Sequence, residues 1–342
     1  MGEITLEEQL FLENNKIIRP FSESAKVKNR MCSKLLERAI VDFGADDSYG
    51  KSSAKIKEHY GLDVSKSTIR LATIEHAKNI SQMKNTKIEQ SKAEYIIGSI
   101  DGVMVPIVEI NKGTEGSKWS KSTCWKECRL AVACKKGSVN PIYHATMGSI
   151  DEAGNMLKKC VTRVGLGDKT YVHIVADGAP WIEQQVEKIF GGDAKFLVDF
   201  FHVSEYLAEA SKCCCAENAD IWFESSKTNL KAGNNEQVLS QLKAHSETEC
   251  TLCDNCLAKK CLNYLEKRAM HLDYKSALDQ GLPIGSGIIE SGNRHVVQER
   301  LKISGAWWIM ENAQLMLDLR TLRANGDWDS YWLEQGQKNY HF

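Results

Sequence analysis

The spacing of apolar residues along the chain changes near residue 94. Before that point the apolar residues recur at helical intervals, and residues 1–48 are mostly polar with the same spacing. Residues 51–80 predict a helix over about 51–60, a turn at Gly61 and a second helix that begins after Ser65, a good N-cap. Two short helices joined by a turn that contains glycine are typical of a helix-turn-helix.

From residue 94 onward the pattern indicates a sheet. Three apolar stretches with Gly and Pro between them predict three strands, of which the first is either one long bent strand or two short ones. A helix over about 151–164 follows, then a strand that ends at Asp177, a helix with Pro180 in its first turn, and a strand that ends at Asp199. Strands with short connections are expected to be antiparallel, and strands joined by helices parallel. This α/β order, a mixed sheet flanked by helices, is that of ribonuclease-H-like folds.

The same pattern predicts two regions. Residues 1–92 form a helical region that holds the helix-turn-helix at about 51–80. Residues 93–342 form the region with the sheet, and a helical, irregular insertion over about 203–280 precedes a Gly-rich loop and a helix. A length of 342 residues agrees with two domains of about 150 residues each.

Charge and composition point to an intracellular protein with a local basic segment. The formal net charge is −1, but residues 51–88 hold eight Lys/Arg and three Asp/Glu, a local net charge of +5. Such a segment suits contacts with DNA phosphates, and Lys66 and Arg70 lie on its second predicted helix. No apolar run is long enough to span a membrane, and no signal peptide is recognisable, so we expect a cytoplasmic protein whose 12 cysteines are reduced or bind metal.

One aspartate lies within or at the end of an apolar strand and a second ends another, and in such places a carboxylate is costly to bury unless it is paired or binds a metal ion. They are Asp101 in IIGSIDGVMV and Asp177 in YVHIVADGAPW. The alternative is an ordinary turn, because Asp-Gly is a common turn dipeptide. In the predicted topology the fourth strand lies beside the first, so Asp177 faces Asp101. Asp199 ends the fifth strand, which lies one strand further out.

Several motifs together resemble DDE transposases. The specific part is C-terminal: GLPIGSGIIESGN, then QERLKISGAWW and LMLDLRTLRANGDWDSYW. IDG at 100–102 and ADGAPWI at 176–182 resemble the first and second aspartate motifs, and DFFH at 199–202 resembles the D-x-x-H motif of related families, including Mutator-like transposases. The resemblance spans about residues 94–334, and within the DDE transposases it is to the Kra-type family of bacterial insertion sequences. The N-terminal part departs from that family, because it is short and has no clear upstream cysteine-rich element.

The resemblance implies a ribonuclease-H-like core that cleaves and joins DNA with divalent metal ions. Asp101, Asp177 and Glu290 would hold Mg²⁺ or Mn²⁺, because in-line phosphoryl displacement uses metal ions held by carboxylates. Asp199 and His202 would sit beside the site. The implied partner is double-stranded DNA, both the terminal inverted repeats of the element and the target, bound by a homo-oligomer near the nucleoid.

The residues around Glu290 carry two interpretations each. Asn293 and Arg294 share the helical face of Glu290, and Arg300 and Lys302 extend a basic surface that suits phosphate; the alternative is a solvated helix face. Asp199 and His202 either support the site or form a helix cap.

Trp307 and Trp308 follow Gly305 and carry two interpretations as well. Paired tryptophans can stack on an extruded base, as in single-strand binding, or they can anchor a helix in the core. The sequence leaves both interpretations open.

A run of cysteines lies in the insertion. Cys250, Cys253, Cys256 and Cys261 form C-x2-C-x2-C-x4-C, a spacing that suits a structural zinc site of four thiolates. A zinc ion would hold the helical insertion together. All four ligands on one short segment are less usual than two separated pairs, so buried or reduced thiols are the alternative.

Three functions are compatible with these features. The first is a metal-dependent transposase. The second is a catalytically inactive or truncated protein of transposon origin that binds DNA through the helix-turn-helix. The third is another nuclease with the same carboxylates, such as a structure-specific resolvase.

Overall fold

A computed structural model describes residues 5, 7–14, 16–24, 32–83, 91–111, 120–214, 218–248 and 256–337. The strands are β1 Phe11–Glu13, β2 Lys16–Ile18, β3 Tyr95–Asn111, β4 Ser120–Lys135, β5 Ile142–Thr146, β6 Tyr171–Ala176 and β7 Ala194–Val198. The helices are α1 Pro20–Ser24, α2 Lys34–Asp46, α3 Tyr49–Tyr60, α4 Lys66–Ser81, α5 Ile150–Val164, α6 Pro180–Phe190, α7 Phe200–Cys214, α8 Ala219–Lys231, α9 Asn235–Thr248, α10 Leu257–Glu266, α11 Tyr274–Asp279, α12 Gly287–Gly292, α13 Glu299–Leu301, α14 Met310–Ala324 and α15 Trp328–Gln337.

The main sheet is mixed and has five strands in the order β5-β4-β3-β6-β7. β4 pairs with β5 antiparallel, whereas β6 pairs parallel with both β3 and β7. Helices α5 and α6 connect the parallel strands. The predicted α/β class and the mixed sheet flanked by helices are confirmed, as is the position of the fourth predicted strand beside the first. The first predicted strand is one continuous strand, β3.

One face of the sheet packs against α5. Gly98 on β3 has no side chain, and a Cβ there would lie 2.6 Å from Cδ1 of Ile174 and 3.5 Å from Cδ1 of Leu157 on α5. Glycine at this position therefore lets the helix approach the sheet closely. Because side chains alternate along a strand, residues at odd spacing from Gly98, including Asp101, point to the opposite face.

Packing divides the chain into two units. The first comprises Met1–Asn85, Val103–Cys128 and Asn293–Phe342, and the second comprises Thr86–Gly102 and Arg129–Gly292. In the first unit the C-terminal helices pack with the N-terminal ones. Buried Arg320 on α14 donates hydrogen bonds to Ala45 O at 2.8 Å, Asp46 Oδ1 at 2.7 Å and Val296 O at 2.6 Å. The predicted functional regions, 1–92 and 93–342, stay predictions.

The N-terminal segment differs from its prediction. Phe11–Glu13 and Lys16–Ile18 pair as a short antiparallel hairpin, so the helical prediction was wrong there. Asn14 has a φ of 50°, a left-handed conformation that asparagine tolerates and that reverses the chain. The two short apolar segments then pair with each other, which a helical interpretation of residues 1–48 missed.

The two predicted helices of the helix-turn-helix are present as α3 and α4. Gly61 ends α3 with a φ of 69°, and the Ser65 hydroxyl caps α4 by accepting from the Thr68 N–H at 3.1 Å. Buried Ile56 and Ile69 place the two helices in the core of the first unit. Their role in DNA binding stays a prediction.

The structure also bears on membrane spans and on the cysteines. None of the described helices combines the length and the apolar character that a bilayer span requires. None of the nine described cysteines forms a disulfide.

The Ser65 cap provides a test of the α4 start. Ser65→Ala should lower the free energy of unfolding by about 1 kcal/mol, because the Thr68 N–H loses its acceptor at the helix N-terminus. Urea unfolding followed by circular dichroism measures the change. Ser67→Ala, an exposed neighbour within the same helix, is the control. Equal effects of both substitutions would show that the cap contributes nothing specific.

Candidate active site

The register of β3 and β6 aligns two of the predicted aspartates. Gly98 pairs with Ile174, and the Ser99 hydroxyl donates to Val175 O at 2.5 Å, so residues separated by 76 positions lie opposite each other. Continued by two residues, this register puts Asp101 opposite Asp177. Partners in a parallel pair point to the same face, about 4.8 Å apart along the hydrogen-bonding direction. Asp101 and Asp177 are therefore neighbours on the face opposite α5.

The register of β6 and β7 adds Asp199 to the same row. Ala176 pairs with Val198, so the next position aligns Asp177 with Asp199, and the Asp199 N–H donates to Ala176 O at 2.7 Å. Asp177 and Asp199 thus follow the carboxyl ends of β6 and β7, beside Asp101, which lies within the longer strand β3. In open α/β sheets this edge is where ligands bind.

Asp101 and Asp177 are half-buried, and each accepts a hydrogen bond from a nearby backbone N–H. Asp101 Oδ1 accepts from the Gly102 N–H at 2.7 Å, and Asp177 Oδ1 accepts from the Ala179 N–H at 2.9 Å. Asp177 Oδ2 has no hydrogen-bond partner among the residues that the structure describes. The turn alternative is therefore present at Asp177, where it occupies one oxygen, whereas Asp101 and Gly102 lie within strand β3.

Asp199 differs because protein donors occupy both of its oxygens. Its side chain is 2% exposed. Oδ1 accepts from the N–H groups of Phe201 at 2.6 Å and His202 at 3.1 Å, which caps α7. Oδ2 accepts from the Ser286 N–H at 2.6 Å and from the Ser286 hydroxyl. Asp199 therefore fastens the Gly-rich loop, residues 281–286, to the start of α7. The predicted helix cap is present.

The Gly-rich loop leads to Glu290 across the same face of the sheet. Pro283 O lies 2.8 Å from Nε2 of His173 on β6, and Ile284 O accepts from the Phe200 N–H at 2.9 Å. At the other end of α12, a Cβ on Gly292 would lie 2.6 Å from Cε1 of Tyr143 on β5. The segment thus begins beside β7 and ends over β4 and β5.

Glu290 is exposed and lies between these two anchors. Since β3 and β6 stand between β7 and β4 in the sheet, α12 crosses above the strands that carry Asp101 and Asp177. All three carboxylates supply the hard oxygen donors that Mg²⁺ prefers. Within the described part of the chain, no three His, Cys, Asp or Glu side chains are assembled tightly enough to hold a metal ion.

Two side chains of the insertion hold the turn after Asp177, and the sequence did not predict them. The Tyr264 hydroxyl donates to Asp177 O at 2.7 Å, and Arg268 Nε donates to Gly178 O at 2.9 Å. Gly178 has a φ of 79°, and a Cβ there would lie 2.8 Å from Arg268 Nε. Asp-Gly was the available signal for the turn, but nothing in the sequence indicates which helix packs on it.

Aromatic stacking orders this contact. The Tyr206 and Tyr264 rings stack at 4.0 Å with an angle of 14°, and the Arg268 guanidinium lies 3.9 Å from the Tyr264 ring centroid. His202, predicted to support the site, meets both tyrosine rings edge-on, and its Nδ1 lies 3.4 Å from Glu205. Burial raises the pKa of Tyr264, which keeps its hydroxyl as a donor to Asp177 O.

The other predicted DNA contacts belong to the first unit. Lys66, Arg70, Arg294 and Lys302 are exposed, whereas Arg300 is buried. Asn293, predicted to lie beside Glu290, is buried at the start of a π-helical segment, Asn293–Gln298.

The predicted zinc cluster is described only in part. Cys250 and Cys253 lie outside the described residues. Cys256 and Cys261 are buried at the start and within α10. Burial raises the pKa of the Cys261 thiol to about 12, which disfavours the thiolate that zinc requires. The zinc site stays a prediction.

Comparison with known proteins gives a family without an assigned activity. The model described as "Uncharacterised protein family (UPF0236)" matches residues 20–335. A "UPF0236 protein in vanSb 3'region" of Streptococcus gallolyticus is 22% identical over 97% of this chain and 73% of its own length. A solved structure, "Crystal structure of NurA with manganese", is 17% identical and covers 79% of this chain and 66% of its own, with a TM-score of 0.13 that is too low to indicate a shared fold.

The bonds of Asp199 predict a structural effect that the other carboxylates lack. Asp199→Ala should lower the free energy of unfolding by at least about 3 kcal/mol, because four donors of Phe201, His202 and Ser286 lose their acceptor. Urea unfolding measures the change. Glu290→Gln, at an exposed position, should stay within about 0.5 kcal/mol of the natural protein. An unchanged stability in Asp199→Ala would contradict the fastening role.

Proposed function

For this chain, which belongs to the UPF0236 family, we propose from its geometry that it is a DDE-type DNA transposase. It would cleave DNA at the ends of an insertion sequence and join those ends to a target, using divalent metal ions. The observation that carries this proposal is the alignment of Asp101 with Asp177, with the helix of Glu290 crossing above their strands.

The strand order supports a ribonuclease-H-like assignment. Counted along the sheet, its five strands are the third, second, first, fourth and fifth of the region, with the last two parallel to the first. This is the arrangement that the sequence order predicts for a ribonuclease-H-like fold. It explains why residues 76 apart in the chain stand side by side.

The chemistry requires carboxylates that are not already occupied by protein donors. Mg²⁺ or Mn²⁺ held by such carboxylates would activate the attacking oxygen and stabilise the leaving one. Asp177 retains an oxygen that no described donor occupies, whereas Asp199 accepts four bonds. This difference favours Asp177 over Asp199 as the second metal ligand beside Asp101 and Glu290, and we assign Asp199 to positioning of the loop that leads to Glu290.

Several contacts would keep this site in position during the reaction. Tyr264 and Arg268 bind the two carbonyls that follow β6, so the backbone at Asp177 is held from outside the sheet. Asp199 binds Ser286, four residues before Glu290. Carboxylates on fixed backbone lose less conformational freedom when they bind metal, which favours catalysis.

The proposed partner is double-stranded DNA. Exposed Lys66 and Arg70 on α4 suit contacts with the phosphates of the terminal inverted repeats. Because the two ends of the element would be processed together, we expect a homo-oligomer in the DNA complex. A cytoplasmic, nucleoid-associated location follows from this proposal.

Loss of the proposed metal ligands should abolish cleavage without loss of folding. A supercoiled plasmid that carries the gene with its flanking DNA, incubated with Mg²⁺ or Mn²⁺, should be nicked and joined by the natural protein. Asp101→Asn, Asp177→Asn and Glu290→Gln should each reduce the rate at least about 100-fold, because each removes a metal ligand. Gel analysis and sequencing of the junctions measure the products.

The matched control is Asp168→Asn, an exposed aspartate of the second unit away from the row, which should cleave normally. Normal cleavage by all three site variants would overturn the assignment. Specific binding of the ends by a protein that never cleaves them would instead support the alternative, a catalytically inactive DNA-binding protein of transposon origin. Cleavage of branched DNA without joining would support a resolvase.

A further inference from the structure

A second candidate site lies in the first unit, whereas the three aspartates belong to the second. It is a pocket of about 450 Å³, a size that suits a small ligand or a single nucleotide. Its lining comes from α3 and α4, from the ends of β3 and β4, and from the segment before α14. The lining residues that matter here are Tyr49, Arg70, Lys121, Arg300 and Trp307.

The charged side chains that line this pocket in the described part of the chain are all positive. Arg70, Lys121 and Arg300 line it, and among the residues that the structure describes no Asp or Glu does. None of these three cations forms an ion pair with a carboxylate in the described ranges. Three cations around one concave surface repel each other, so an anion that enters the pocket would relieve this repulsion.

Arg300 forms the interior wall of the pocket and is only 2% exposed. Its Nε donates to Gly44 O at 3.1 Å. Its guanidinium lies between two rings, 5.0 Å from the centroid of Tyr49 and 4.8 Å from that of Trp308. Burial lowers the pKa of Arg300, which reflects the cost of keeping this cation away from water. Such a buried cation is ready to bind an anion.

The two tryptophans of the motif have different positions. Trp308 is buried, and its backbone pairs with β3 through Pro106 O at 3.1 Å and the Val108 N–H at 2.8 Å. Trp307 is 46% exposed and lines the pocket. Trp125, also exposed, lies beside it with 6.4 Å between the ring centroids. An exposed indole next to cations is the arrangement that single-stranded nucleic acids use, because bases stack while phosphates meet the charges.

We propose that this pocket binds one nucleotide of single-stranded DNA. The base stacks on Trp307, and Arg70 and Lys121 contact the flanking phosphates, with Arg300 supplying charge from the interior. The choice of DNA rests on the proposed function, whereas the pocket itself does not. A transposase exposes single strands when it opens the ends of its element, so the pocket would hold an unpaired nucleotide.

Fluorescence anisotropy of a labelled oligothymidylate of about 12 nucleotides, measured in EDTA, tests the proposal. Trp307→Ala should weaken binding about 10-fold or more, and Trp307→Phe should retain most of the affinity because a ring remains. Arg70→Ala and Lys121→Ala should each weaken binding and reduce the slope of log affinity against log salt by about 0.7.

Lys78→Ala is the matched control, because Lys78 is an exposed cation on the same helix but does not line the pocket. Arg70, Lys121 and Trp307 are exposed, so their variants should fold, which thermal unfolding checks. Unchanged affinity in Trp307→Ala, or equal losses in Lys78→Ala and Arg70→Ala, would overturn the proposal. So would tighter binding of a duplex or of oligouridylate than of oligothymidylate.

The outcome is separable from that of the cleavage experiment. Because the binding assay contains no divalent metal, Asp101→Asn should bind oligothymidylate as the natural protein does. If the protein binds single strands but does not cleave DNA, the pocket proposal stands and the proposed transposase function fails. If it cleaves DNA but its pocket variants bind oligothymidylate normally, the proposed function stands and the pocket proposal fails.

Discussion

The parallel register between β3 and β6 is the constraint on which the candidate active site depends. It aligns residues that are 76 positions apart, and β7 extends the same row by another 22. A shift of the register by one residue would turn Asp101 toward α5, into a packed apolar layer. Gly98 helps to hold the register, because only glycine leaves room for Ile174 and Leu157 at that point.

Neighbouring carboxylates in this row have different partners, although the sequence around them looks alike. Asp199 accepts four hydrogen bonds from the protein, so donors satisfy both of its buried oxygens. Asp177 accepts one and keeps an oxygen that no described donor reaches. The two carboxylates therefore differ in role. Asp199 fastens the loop before Glu290, whereas Asp177 is the one proposed to bind a cation.

Much of the fold followed from the sequence because strand and helix periodicities are local. The position of the fourth strand beside the first, with the fifth next to it, was predicted and is confirmed, as are the two helices around Gly61 and the Ser65 cap. The contacts of Tyr264 and Arg268 with the Asp177 turn were not, because they join residues 87 and 90 positions apart through packing that no periodicity records. The hairpin at Phe11–Ile18 was missed since its signal is a pair of asparagines between two short apolar segments. The same limit applies to the pocket around Arg300, whose cations come from distant parts of the chain.

Trp307 and Trp308 also determine how the chain can vary in length. They are adjacent in an extended segment that pairs with β3, so one ring enters the core and the next faces outward. Insertion or deletion of a single residue between Leu301 and Trp307 would exchange the two rings, burying one against a wall built for the other. Relatives should therefore vary here by substitution and keep the number of residues constant between Leu301 and Trp307.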